Sequence, residues 1–312
     1  AGLTVLFVLT LAACFHADGG NDSGANPPAE QTPAPGSGDG AGDGGAADGG
    51  VAENPADGDA ADQPADDGEV PSEEPQQPPA NGSDDDELAE RVRSMDVREK
   101  IGQMVMVGIE GYEINEQTRQ LIEQHRAGGV ILFGRNVSDA VQTLKLLNDL
   151  KEANQQVSRI PLLLGVDEEG GKVSRLPKEF IPAPSARDVG RTDDPSLAYR
   201  IGQTTAGALR ALGWNVDFAP VLDVDSNPDN PVIGDRSYAD NADAVAAMGV
   251  EMMRGLQAEH VIPVVKHFPG HGDTSVDSHV DLPVVPHAEE RLRRVELAPF
   301  AEAVRQGADA VM

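Results

Sequence analysis

Two spacings of apolar residues alternate along the chain from residue 96 onward. In the first, apolar side chains recur every three or four residues, the repeat that gathers them on one face of a helix. Val141, Leu144, Leu147 and Leu150 make one such face; Leu197, Ile201, Leu209 and Leu212 make a second; Val245, Met248, Met252 and Leu256 make a third. Residues ahead of these runs can satisfy the free N–H groups of a first helical turn. Asp96 with Glu99 has the spacing of a capping box before Ile101 and Met104. Asn115 opens a helix predicted to run to Gly128, Ser138 caps the Val141 helix, and Asn241 opens the Val245 helix. Asp194 followed by Pro195 supplies a cap and a first-turn proline, with Gly213 as the stop. A last helix is expected from about Ala288 to Gln306, closed by Gly307.

The second spacing is a short, nearly continuous apolar run. Six occur: Met104 to Ile109, Gly129 to Phe133, Pro161 to Val166, Asn215 to Pro220, Val261 to Val265 and Ala308 to Met312. Strands apolar on both faces, alternating with helices, belong to a parallel sheet, either doubly wound or closed into a barrel. The segments after the third, fourth and fifth runs are about 18 to 28 residues long and rich in Gly, Pro, Asp and His, well above the usual connection. Long loops on one side favour an α/β fold of the (β/α)8 TIM type, whose sites are built at the C-terminal strand ends. With six strands, the barrel is expected to be truncated after about the sixth. Its two open edges predict that this polypeptide does not fold stably alone.

Composition divides the chain near residue 86. Residues 1–90 hold no Lys or Arg and 20 Asp or Glu, so of the net charge of −29 only about −9 belongs to the rest. No basic stretch exists to displace phosphate counterions, which argues against nucleic acid as a partner. Residues 15–85 form an acidic Gly/Pro/Ala-rich linker, too poor in large apolar residues to offset the entropy of ordering. A disordered, extended tether is expected there. Before it, Leu3 to Ala13 has the length of the apolar region of an export signal, too short for a membrane span. Residues 1–14 therefore read as a signal segment. Cys14, the only cysteine, follows Leu11-Ala12-Ala13, which resembles a bacterial lipobox, and lipidation of Cys14 is expected; an ordinary cleavage site is the plainer alternative. The implied protein is exported and held to a membrane by a lipid anchor. Residues 86–312 are long enough to bury a core.

Candidate chemistry concentrates in KHFPGHGDTSVDSH, Lys266 to His279, after the fifth run. His267 and His271 are four apart, but Pro269, Gly270 and Gly272 forbid the helix that would place them on one face, so no metal site is assigned. Trp214 opens the fourth strand and reads as core. Asp223 and Asp225, on the following loop, are placed where they can support the site, but no family match assigns either a role.

The order of DEEGGKVSRL (Asp167 to Leu176), VIGDRSY (Val232 to Tyr238), KHFPGHGDTSVDSH and GADAVM (Gly307 to Met312), each near a predicted strand, resembles glycoside hydrolase family 3, in its β-N-acetylhexosaminidase branch. The resemblance spans about Asp96 to Met312 and departs at Glu168, where the branch commonly has Gln. It implies an incomplete N-terminal family 3 barrel over residues 86–312. Asp167 is implied to accept hydrogen bonds from two sugar hydroxyls, with Arg175, Arg236, Lys266 and His267 donating to the remaining oxygens. His279, held by Asp277, is implied to be the acid-base group, and the nucleophile is an Asp beyond the sixth strand, outside this sequence. No cofactor is implied. A histidine suits the acid-base role because its ordinary pKa, ~6.5, already lies near working pH.

The expected function is exo-acting, retaining removal of terminal N-acetylglucosamine from peptidoglycan fragments or chitin oligosaccharides. Alternatives are a β-N-acetylglucosaminide phosphorylase, since an imidazole does not repel a phosphate acceptor, a family 3 β-glucosidase, and a non-catalytic cell-wall-binding lipoprotein. This chain by itself, lacking the nucleophile, is expected to be inactive.

Overall fold

Six short strands lie side by side in chain order, all parallel: β1 (Met106–Gly108), β2 (Gly129–Ile131), β3 (Leu163–Val166), β4 (Val216–Asp217), β5 (Ile262–Val265) and β6 (Ala310–Val311). Every one falls inside an apolar run picked out from the sequence. The structure is a computed structural model that describes residues 82–276 and 282–312. The expected signal segment, Cys14, the tether up to residue 81, Asp277 and His279 lie outside the described residues. Among the described residues, no helix is long and apolar enough to cross a membrane.

Side chains alternate across each strand, and the two faces enter different clusters. Met106, Ile131, Leu163, Val216, Phe218, Val264, Ala310 and Met312 form one cluster. All six strands contribute to it directly or through an adjoining residue, which a flat sheet would forbid; the sheet is curled around this inner core as an open barrel wall. Gly165 belongs there because a Cβ would sit 2.8 Å from the Phe218 ring. The alternate residues Val130, Leu132, Leu164, Val166 and Val265 face outward into a second cluster with the helices.

That outer layer comes mainly from α4 (Ala140–Gln155), α6 (Pro195–Leu212), α7 (Ala242–Ala258) and α9 (Ala298–Arg305). Leu146, Leu147 and Leu150 of α4 are completely buried, each contributing about 1.5–3 kcal/mol of transfer free energy. Trp214 is also core, 1% exposed.

The helix starts follow the expected chemistry at α2 (Val97–Gln103), where Asp96 and Glu99 form both halves of a capping box, at α3 (Glu116–Glu123), capped by Asn115, at α6, capped by Asp194, and at α7, capped by Asn241. Three expectations need correction. The cap of α4 is Asp139, which accepts from the Gln142 N–H at 2.9 Å; Ser138 instead donates to Asp139. Helix α3 ends at Glu123 and not at Gly128, because the chain turns away through Arg126 at φ 58°. The final helix is two, α8 (Glu289–Arg294) and α9. Pro299, with no N–H and a ring that clashes one turn back, fits the first turn of α9 but not the interior of a continuous helix. The sequence reading did not anticipate α1 (Gly82–Ser94) or the short α5 (Ala186–Gly190).

Candidate active site at the strand ends

The loops after β3, β4 and β5 converge at one end of the sheet. An isolated parallel bridge between Val221 and Lys266 extends the β4–β5 pairing beyond the strands, with the Leu222 N–H donating to the Lys266 carbonyl at 2.5 Å. The β5 loop then crosses the β4 loop at Gly272, where a Cβ would lie 1.8 Å from the Val224 carbonyl oxygen, so only glycine fits. Asn230 ties the same two loops: its Oδ1 accepts from the Val232 and Ile233 N–H groups, and its Nδ2 donates to the His271 carbonyl at 2.8 Å.

Asp167 and Glu169 extend from β3 two residues apart, hence toward the same side of the sheet. The Lys266 ammonium, 2% exposed, lies 2.7 Å from Asp167 Oδ1 and 2.7 Å from Glu169 Oε1. Arg236, on a 3-10 turn spanning Gly234–Arg236, grips Glu169 with two nitrogens, Nε to Oε2 at 2.7 Å and Nη2 to Oε1 at 2.8 Å. The same Nη2 lies 3.2 Å from His267 Nε2, and His267 Nδ1 lies 2.5 Å from Oδ2 of the fully buried Asp223. The peptide between Lys266 and His267 is cis. A continuous chain of contacts thus runs Asp167, Lys266, Glu169, Arg236, His267, Asp223.

Burial by itself would raise the Glu169 carboxyl, but the Arg236 hydrogen bonds and the Lys266 charge outweigh it and hold the group at about 2. Burial likewise disfavours the Arg236 cation, and the Glu169 contacts more than restore it. With three carboxyl groups set against one ammonium and one guanidinium, the chain of groups is close to charge balance. Such a surface, rich in both donors and acceptors, suits a polar ligand of low charge.

Of the expected site residues, Asp167, Arg236, Lys266 and His267 come together. Arg175 does not join them: its guanidinium donates to the Ser174 carbonyl at 3.0 Å. Asp277 and His279 are outside the described residues. Glu169 is not among the expected site residues, and Asp223 is expected only as a loop support with no assigned role; strand-end alternation with Asp167 points to the first, whereas the role of Asp223 becomes visible only through its contacts. Glu168 shapes the β3 loop, its Oε2 accepting from the Ser174 hydroxyl and from the N–H groups of Arg175 and Leu176. Asp225 pairs with Arg187.

His271 is turned to Thr274, with Nδ1 2.5 Å from Oγ1, and its ring stands edge-on to His267 at 6.0 Å. A different group, Asp273, His287 and Glu296, brings three potential metal-ligand atoms within 4.8 Å. Arg291 already supplies a cation to it, with Nη2 3.0 Å from Glu296 and 3.4 Å from Asp273, while His287 bonds Asp273.

Residues 96–312 match the family model described as glycosyl hydrolase family 3 N terminal domain. Beta-hexosaminidase A of Pseudoalteromonas piscicida is 39% identical over 191 residues, covering 60% of this chain and 32% of that protein. A beta-hexosaminidase of Stenotrophomonas maltophilia (strain K279a) is 35% identical over 215 residues, 67% of this chain and 62% of its own length. Among solved structures, the family 3 beta-N-acetylglucosaminidase of Paenibacillus sp. str. FPU-7 superposes with a TM-score of 0.69 at 46% identity, covering 70% of this chain and 42% of that one. The chain thus spans from 32% to 62% of the length of these relatives. With its strands, its strand-end loops and its sequence all in agreement, the chain belongs to glycosyl hydrolase family 3, in the β-hexosaminidase branch, and carries six strands of the N-terminal barrel domain of that family.

Proposed function

We propose that the gene product is an exo-acting, retaining β-N-acetylhexosaminidase that removes terminal N-acetylglucosamine from peptidoglycan fragments or chitin oligosaccharides. The observation that carries this reading is the Asp167–Lys266–Glu169–Arg236–His267 chain at the strand ends, which offers a sugar ring both an acceptor and several donors. Asp167 keeps 22% of its side chain exposed, enough to accept from two adjacent hydroxyls. Lys266 and Arg236, fixed by Glu169, donate to neighbouring oxygens; Arg175, whose guanidinium donates to the Ser174 carbonyl, adds nothing to this reading. The named relatives, beta-hexosaminidases and a beta-N-acetylglucosaminidase, support the choice of amino sugar.

In this reading His279, oriented by Asp277, gives its proton to the glycosidic oxygen as the bond to the anomeric carbon breaks. An aspartate beyond residue 312 takes that carbon. His279 then removes a proton from water, whose oxygen displaces the aspartate with net retention. Export and anchoring through Cys14 would place this activity at the cell envelope, and the acidic segment 15–85 would act as the spacer. The test is chromophore release from aryl β-N-acetylglucosaminide by the full-length gene product. Turnover of that substrate, and little of the aryl β-glucoside, is expected; preference for the glucoside, or sugar 1-phosphate formed only in phosphate buffer, would contradict it.

A further inference from the structure

His267 meets two partners whose chemistry leaves it no choice of tautomer. A guanidinium offers only donors, so the contact between Arg236 Nη2 and His267 Nε2 at 3.2 Å requires a lone pair on Nε2. An ionised carboxylate only accepts, so the contact between His267 Nδ1 and Asp223 Oδ2 at 2.5 Å requires the proton on Nδ1. The two demands agree on the neutral ring protonated at Nδ1. Each partner is itself fixed. Arg236 is held by its two bonds to Glu169, and Asp223 Oδ1 accepts from the backbone N–H of His271 at 2.7 Å and, more weakly, from that of His267 at 3.3 Å. Asp223 is wholly buried, so the ring cannot exchange this partner for water. The other group facing the ring, His271, has its Nδ1 committed to Thr274.

We propose that Asp223 is a positioning residue which, by taking the Nδ1 proton of His267, presents Nε2 to the sugar site as a hydrogen-bond acceptor. This rests on reading the strand-end cluster as the sugar site, and it replaces the donor role that the family resemblance implied for His267. A hydroxyl of the bound sugar then donates to Nε2 and takes over the place of Arg236, whose freed Nη2 turns to the oxygen of the same or a neighbouring hydroxyl. Asp223 touches no substrate atom; it acts through the ring. Asn in its place has nearly the same shape, and its Oδ1 can still accept from the His271 N–H. Its amide nitrogen, however, donates, so it pairs with Nδ1 only if the ring proton moves to Nε2, where it points at the guanidinium.

The experiment compares wild type with Asp223→Asn in the full-length gene product, using 15N-labelled histidine and long-range 1H–15N correlation, with the His267 signals assigned by their loss in His267→Gln. Wild type should carry its proton on Nδ1 with a bare Nε2, and Asp223→Asn should shift it to Nε2. In parallel, kcat/KM on aryl β-N-acetylglucosaminide should fall on the order of 10²-fold, with the thermal midpoint little changed. A wild-type ring protonated at Nε2 overturns the proposal without any variant. So does a variant that moves neither the proton nor kcat/KM, because a purely space-filling Asp223 is replaced well by Asn. Absence of turnover by wild type would instead count against the functional reading, while the nitrogen spectrum would still decide the tautomer.

Discussion

Glu169 is the carboxylate on which both cations of the site converge, and its charge is the outcome of a contest between burial and those cations. Its pKa falls from 4.5 to about 2. The carboxylate therefore stabilises the fold fully above the unfolded value near 4.5, and the contribution is lost as pH falls toward 2. At roughly 1.4 kcal/mol per unit the contribution is about 3 kcal/mol. Glu169→Gln should cost on that order in chemical denaturation at pH 7, and the gap from wild type should close as the pH approaches 2; a loss independent of pH would assign it to packing. On the catalytic side, His279→Ala is expected to lower kcat while leaving ground-state binding of N-acetylglucosamine nearly intact. An unchanged kcat would remove His279 from the mechanism.

At the scale of elements, the junction of β3 and β4 holds a carboxyl outside the proposed sugar site. Asp217 is completely buried, its Oδ1 accepts from the Glu168 N–H at 3.0 Å, and its Oδ2 has no hydrogen-bond partner among the described residues. Burial, with the Glu168 carboxyl nearby, pushes its pKa well above 3.8. Here the folded state holds the proton more tightly, so stability declines as pH rises from the unfolded value toward the folded one. Asp217→Asn, which keeps the Oδ1 acceptor, should be more stable than wild type at neutral pH by about 1–3 kcal/mol. The advantage should vanish near pH 4, and thermal unfolding at both pH values checks it. Strands were legible in the sequence because each one is a short apolar run between polar helices, and caps such as Asp96 and Asn241 were legible because capping is local chemistry. The break between α8 and α9 was signalled by Pro299 but masked by apolar periodicity continuing through Leu292, Val295 and Phe300. The gathering of Asp167, Arg236, Lys266 and His267 was legible because they stand in motifs that the family resemblance brings together. Strand-end alternation with Asp167 points to Glu169, but its pairing with Arg236 and that of Asp223 with His267 join residues 67 and 44 apart in the chain, and no local pattern encodes such pairings.

Among the described residues, the curled six-stranded sheet leaves β1 and β6 each paired on one side only, and Val97, Ile101 and Met104 near β1 are 71%, 59% and 71% exposed. Unpaired strand edges beside exposed apolar surface favour association. The 312-residue chain expressed alone should elute as aggregates in size-exclusion chromatography; a monodisperse monomer with cooperative unfolding would contradict this. The strand-end chemistry is complete enough to be tested by binding alone, ahead of any question of turnover. The most direct measurement is titration calorimetry of N-acetylglucosamine into the full-length gene product, in wild type and with Asp167→Asn. Binding by wild type, weakened about 10²-fold by the substitution, is the predicted result, and equal affinity in the two proteins would contradict the sugar site.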